Sequence, residues 1–279
     1  SVGNNVPNIS FVSLPGQSFA PVSGGQRKIE ISFLADDPEG SGNLDNDSAN
    51  VNVSFVSTTG VGTLTRTNTS CTSSYISTGD FINYTCDVYM EYFYDHNTEW
   101  KVAAEINDSN NNRFQNSSEI DTINWSYTEL VAFNLSSSSL AWGGIAPGDT
   151  NKTSTTTEIT ENIGNSLSLN VRSTIIELAG ATTPTINIPA ANFTVGNATG
   201  AIVECDYSNQ TATVTPGVLP LVGINNTQIF PLTNALRRAQ GSSSNLYYCL
   251  VNAGDELTGQ TYNTNAGGSW DITAVDSGE

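Results

Sequence analysis

Hydrophobic and polar positions alternate with a period of two along most of the chain, and helical periodicity is almost missing. In residues 28–34, Ile29, Ile31 and Phe33 share one face, and residues 50–56 repeat the pattern with Val51, Val53 and Phe55. Residues 8–14 and 17–22 read as shorter extended runs between proline and glycine punctuation. Residues 87–94, a turn at 95–98 and residues 100–106 read as a hairpin, and the Asn-rich stretch 108–112 as a further turn. The run 122–135 is free of Gly and Pro and rich in β-branched and aromatic residues. It reads as the last strand of one domain passing almost directly into the first strand of the next. So short a link restricts bending, and the two domains are expected to behave as a semi-rigid rod. Beyond it, residues 140–142, 155–159, 166–171, 185–188, 212–215 and 269–274 are strand-like, a turn falls at 146–149, and only 232–239 has helical character.

The pattern predicts an all-β chain of two tandem immunoglobulin-like β-sandwich domains, 26–129 and 130–279. Its 279 residues are enough for two cores. An N-terminal extended segment, 1–25, precedes them. Two readings of that segment stand: the first strand of its own domain, or a strand donated to a neighbouring subunit, which would propagate head to tail.

Charge narrows the function classes. Asp+Glu number 27 against Lys+Arg 9, a formal net charge of −18. Such a surface cannot neutralise a phosphate backbone, which excludes nucleic acid as a partner, and anionic membranes repel it. No run approaches the ~20 apolar residues of a membrane span. No signal-peptide pattern opens the sequence at Ser1, which suits a processed chain. Fourteen Asn-x-Ser/Thr sequons stand at Asn8, Asn46, Asn52, Asn68, Asn83, Asn107, Asn116, Asn124, Asn134, Asn151, Asn192, Asn197, Asn209 and Asn225. As a set they point to N-linked glycans and an extracellular, cell-surface location.

The four cysteines allow three pairings. Cys71 and Cys86 flank a turn centred midway between them, the symmetry of a disulfide closing an antiparallel hairpin. Cys205 and Cys249 each lie in a strand-like run and would join two distant strands. One disulfide per domain implies an oxidising compartment.

Several motifs carry a resemblance. Phe33-Leu-Ala-Asp-Asp-Pro-Glu-Gly40, Asn83-Tyr-Thr-Cys-Asp-Val-Tyr-Met90, Tyr92-Phe-Tyr-Asp95 with Trp100, and Ile106-Asn-Asp-Ser109 resemble tandem Ig-like domains of archaeal cell-surface proteins. Leu140-Ala-Trp-Gly143, Pro147-Gly-Asp149 and Gly268-Ser-Trp-Asp-Ile-Thr273 resemble the module that accompanies them. The similarity spans most of residues 26–274 in short β-motifs. It implies a secreted, surface-exposed structural protein and brings no catalytic residue with it.

Candidate chemistry is sparse. Asp36, Asp37, Glu39, Asn43 and Asp45 form the densest group of oxygen ligands, and Asp108 could join them from the same end of the sandwich. A calcium ion takes six to eight such oxygens, although the spacing is not that of an EF-hand, and an ordinary acidic loop with an Asx turn at Asp37 is the competing expectation. Apart from calcium there, no cofactor is implied. His96, the single histidine, has no nucleophile motif near it, and no enzyme is expected. Trp100, Trp125, Trp142, Trp270, Tyr92 and Tyr94 could form a sugar-stacking platform, but core packing is the better expectation for most of them. The function expected is therefore structural: a subunit of an extracellular homopolymer (filament, sheath or surface layer) whose partner is itself. A cell-surface adhesin or carbohydrate-binding module is the alternative.

Overall fold

The computed structural model describes residues 4–14, 16–56, 63–68, 71–75, 80–116, 125–166, 169–196, 226–231, 243–264 and 268–276. The chain divides into two compact units, Ser1–Leu130 and Val131–Glu279. The fold is all-β: among the described residues the only helical elements are 3-10 turns at Ser41–Asn43 and Ala190–Asn192.

Unit 1 contributes β1 (Asn8–Ser13), β2 (Ser18–Phe19), β3 (Gln26–Asp36), β4 (Leu44–Val56), β5 (Thr63–Asn68), β6 (Cys71–Tyr75), β7 (Phe81–Glu91), β8 (Asn97–Asp108), β9 (Arg113–Asn116) and β10 (Trp125–Tyr127). One sheet runs β1-β3-β7-β6. The other runs β2-β10-β8-β4-β5, with β9 also paired to β8. The two sheets face each other across one core. The period-two pattern dictates this packing. Ile29, Ile31, Phe33 and Ala35 of β3 and Ile82, Tyr84, Cys86, Val88 and Met90 of β7 point inward from one sheet. Val51 and Val53 of β4 and Trp100, Val102, Ala104 and Ile106 of β8 meet them from the other.

Two expectations change here. Residues 87–94 and 100–106 do not form a hairpin, because β7 and β8 belong to different sheets. The connection crosses the sandwich, and Tyr92 and Tyr94 are buried in it, each edge-on to Phe93 at 5.2 Å. Two strands facing one core from opposite sides carry the same alternation as a hairpin, so the pattern alone could not separate them. Second, the stretch 122–135 is not one long strand: β10 ends at Tyr127 and the next strand starts at Phe133. Residues 122–124 lie outside the described part. The N-terminal segment pairs within unit 1. β1 pairs with β3 in antiparallel register from Asn8↔Asp36 to Ser13↔Ser32. β2 pairs in parallel with β10. Ile9, Val12 and Phe19 enter the core.

Unit 2 contributes β11 (Phe133–Leu135), β12 (Thr150–Thr153), β13 (Glu158–Asn162), β14 (Leu169–Ile175), β15 (Leu178–Gly180), β16 (Asn187–Ile188), β17 (Phe193–Gly196), β18 (Asn226–Pro231), β19 (Ser243–Asn252), β20 (Tyr262–Asn263) and β21 (Asp271–Asp276). Its sheets run β11-β13-β19-β12 with β17 also on β19, β18-β14-β21, and β16-β15-β20. Among the described residues these orders do not repeat those of unit 1. Ile175, Ile188, Phe193, Leu246, Tyr248 and Leu250 lead its smaller core. Residues 140–142 form no strand; Ala141 instead accepts the Thr155 amide through its carbonyl at 2.7 Å. The turn at 146–149 is as read, closed by Asp149 N–H to Ala146 O at 3.1 Å, with Gly148 at φ +74°. The expected strand at 212–215 and helical segment at 232–239 lie outside the described residues.

Candidate functional site

The acidic end of unit 1 is assembled from three segments. Asp37 is buried and accepts the Glu39 amide through Oδ1 at 2.8 Å, while its carbonyl accepts the Gly40 amide at 2.8 Å. Gly40 sits at φ +102°, a conformation glycine adopts without strain. Asp108, fully buried, accepts the backbone amides of Asn110 and Asn112 through Oδ1, each at 2.8 Å. Its Oδ2 accepts Asn112 Nδ2 at 2.8 Å and Asn4 Nδ2. Asn43 bridges the segments: its Nδ2 donates to Asp37 Oδ2 and Asn4 Oδ1, both at 3.3 Å, and its Oδ1 accepts the Ser109 hydroxyl.

The structure thus brings Asp37, Asn43 and Asp108 into one network. Asp36 accepts Asn8 Nδ2 at 3.1 Å, Glu39 accepts Asn5 Nδ2, and Asp45 accepts the Asp47 amide at 3.2 Å. No three His, Cys, Asp or Glu side chains among the described residues are grouped to hold an ion. Asparagine amides and backbone N–H groups hydrogen-bond these carboxylates. Asn4, Asn5 and Asn112 were not anticipated. Their signal was the density of asparagines beside the acidic loop and turn, amides being the donors that satisfy a buried carboxylate.

Burial works against the charge on Asp108, but the hydrogen bonds from Asn112, Asn4 and Asn110 outweigh it and hold its pKa below the ordinary 3.8. A carboxylate with a lowered native pKa stabilises the fold above its unfolded pKa, and that stability is lost as pH falls through the native one. Unit 1 is therefore expected to lose melting temperature as pH drops below about 4. The Asp108→Asn variant should start lower at pH 7 and show a flatter acid dependence. Parallel acid profiles for the two proteins, measured by circular dichroism melts, would remove Asp108 from the account.

Cys71 and Cys86 are bonded to each other, directly opposite in the β6–β7 register. Cys249, buried on β19, is also disulfide-bonded; its expected partner Cys205 lies outside the described residues. His96 lies in the crossing between β7 and β8. Trp100 and Trp125 are core residues of unit 1, stacked at 5.6 Å. Trp142 and Trp270 are half-buried against the core of unit 2. Among the sequons, Asn8, Asn46, Asn134 and Asn151 are exposed, and Asn52, Asn83, Asn107 and Asn192 are half-buried. Asn68 and Asn116 lie on β5 and β9, while Asn124, Asn197, Asn209 and Asn225 lie outside the described residues. No helix among the described residues is long and apolar enough to cross a membrane.

Neither a protein family nor a curated protein matches this chain in sequence. Among solved structures, the native conformation of Escherichia coli alpha-2-macroglobulin aligns over 92% of this chain and 12% of its own, at 10% identity and a TM-score of 0.23. A structure described as manganese lipoxygenase of Gaeumannomyces graminis with partial zonadhesin of Komagataella pastoris aligns over 96% of this chain and 93% of its own, at 10% identity and a TM-score of 0.20.

Proposed function

We propose that this protein is a structural subunit of an extracellular homopolymer at the cell surface, assembled by exchange of its N-terminal strand. The observation that carries the reading is the position of β1. It is an edge strand, held through one neighbour only, β3, and it supplies Ile9 and Val12 to the core. Pro21, Gly24 and Gly25 lie between β2 and β3, with Gly24 at φ +62°, so the segment that would exchange is β1 together with β2. A segment on such a hinge can be replaced by the same segment of another copy, with the β1–β3 and β2–β10 pairings re-formed between copies, the low-cost route of strand exchange. Exchange that does not close on itself generates a filament. The disulfides, the sequons and the shortage of charged residues support an extracellular setting, with N-linked glycans covering the assembled surface.

Register gives a direct test. Ser13 and Ser32 are paired and half-buried, so a Ser13→Cys/Ser32→Cys variant places two thiols across the β1–β3 ladder. Oxidised assemblies are expected to run as a ladder of covalent multimers on non-reducing gels, because each β1 sits in a neighbour. A monomer band from assembled material would sink strand donation. Electron microscopy showing no filament, sheath or lattice from the native protein would sink the polymer itself.

A further inference from the structure

A cleft of about 1020 Å³ opens in unit 2, at the upper end of the ~300–1,000 Å³ typical of ligand pockets. Trp142, Tyr262 and Trp270 line it together with Ser137, Ser139 and Glu158. The aromatic wall is pinned. Trp142 and Trp270 meet edge to face at 5.5 Å, and Trp270 Nε1 donates to Ile176 O at 2.9 Å. The Tyr262 hydroxyl accepts the Thr258 amide at 2.9 Å and donates to the Thr258 carbonyl at 3.1 Å.

Glu158 enters the cleft from β13 and is 1% exposed. Its Oε1 accepts the Ser137 amide at 3.0 Å and the Ser136 hydroxyl at 3.3 Å. No cation among the described residues pairs with it. Burying a carboxylate is costly. Shifting the strand by one residue would bury Ile159 but would bury Glu161 with it. The strand instead turns Ile159 outward, 43% exposed, and buries Glu158, Thr160 and Asn162. Of its two glutamates, the strand buries the one that lines the cleft.

We infer that this cleft binds a neutral carbohydrate chain. Sugars offer apolar C–H faces to aromatic rings and closely spaced hydroxyls to carboxylates and serines, and this lining supplies both. The formal charge of −18 disfavours an anionic ligand. An aromatic wall with a carboxylate also suits a quaternary ammonium group, but the cleft is far larger than such a group needs. This assignment does not rest on the polymer reading.

The test is calorimetric titration of the full chain with cellotetraose, mannotriose and a β-1,4 N-acetylglucosamine tetramer, with choline and sialyllactose as the competing classes. One or more of the neutral oligosaccharides is expected to bind and to change tryptophan fluorescence. Glu158→Gln should weaken that binding about tenfold. Because Glu158 is buried, a second variant guards against misfolding: Gly144 lines the cleft, and a Cβ added there meets nothing within 4 Å. Gly144→Tyr should keep the native melt and abolish binding, while Ile159→Ala, on the outward side of β13, should leave it unchanged. The inference is overturned if none of the three neutral sugars binds at ~10 mM, if choline or sialyllactose binds in their place, or if binding survives Gly144→Tyr. Filament formation is read separately by microscopy, so either reading can fail alone.

Discussion

Replacing Trp100 with alanine is expected to cost unit 1 about 3–5 kcal/mol, the range for deleting a large aromatic side chain from a packed core. Trp100 is fully buried on β8, stacked on Trp125 at 5.6 Å and on Tyr94 at 6.4 Å. Its Nε1 donates to the Asp95 carbonyl at 2.9 Å, which fixes the start of β8 after the chain crosses between sheets. Trp125 is equally buried and carries β10 and, through an edge-on contact at 5.5 Å, Phe19 of β2. Its indole nitrogen has no hydrogen-bond partner. The two tryptophans should therefore separate under a gentler substitution. Trp100→Phe leaves the Asp95 carbonyl without its indole donor and should cost about 1–2 kcal/mol more than Trp125→Phe, which loses ring volume but no hydrogen bond. Urea unfolding followed by far-ultraviolet circular dichroism, which does not depend on the tryptophans being replaced, measures both. Equal losses would show that the bond to Asp95 adds nothing.

Removing the Cys71–Cys86 disulfide is expected to lower the stability of unit 1 by about 3 kcal/mol, through the entropy returned to the unfolded chain by opening a loop of this length. The two residues are 15 apart in sequence. β6 is an edge strand whose ladder partner in this sheet is β7, and the bond ties the two at Cys71↔Cys86. In the Cys71→Ala/Cys86→Ala protein, hydrogen exchange should rise first in β6 while the β3–β7 ladder stays protected. A loss below ~1 kcal/mol with β6 still protected would mean that the ladder holds the edge without its cross-link.

Parts of this were open to reading before any coordinates. Alternation in β3 and β4 located their buried faces, because a period of two has one solution once one face must be dry. The spacing of Cys71 and Cys86 around a turn was enough for their pairing. The crossing from β7 to β8 was not legible, since a strand entering the opposite sheet presents the same alternation as one returning in the same sheet. β13 was misleading in the opposite sense: its one apolar residue, Ile159, faces solvent, and only packing shows that Glu158 is the buried member. At the acidic end, the sequence put the carboxylates within reach of each other but was silent on the amides of Asn4 and Asn112 that hydrogen-bond to Asp108.

The sequence by itself determined the strand composition, the inward faces of β3 and β4, the excess of negative charge, and the oxidised hairpin cysteines. These follow from local periodicity and composition, which need no partner strand to be read. Tertiary structure alone decided which sheet each strand joins, that β1 ladders with β3, that asparagine amides bond to the acidic network, and that Glu158 lines a cleft. Each depends on groups far apart in sequence meeting in space: Asn4 with Asp108, Asn8 with Asp36, Trp100 with Trp125. The energy of such contacts is set by who the neighbour is, and a linear pattern does not name the neighbour.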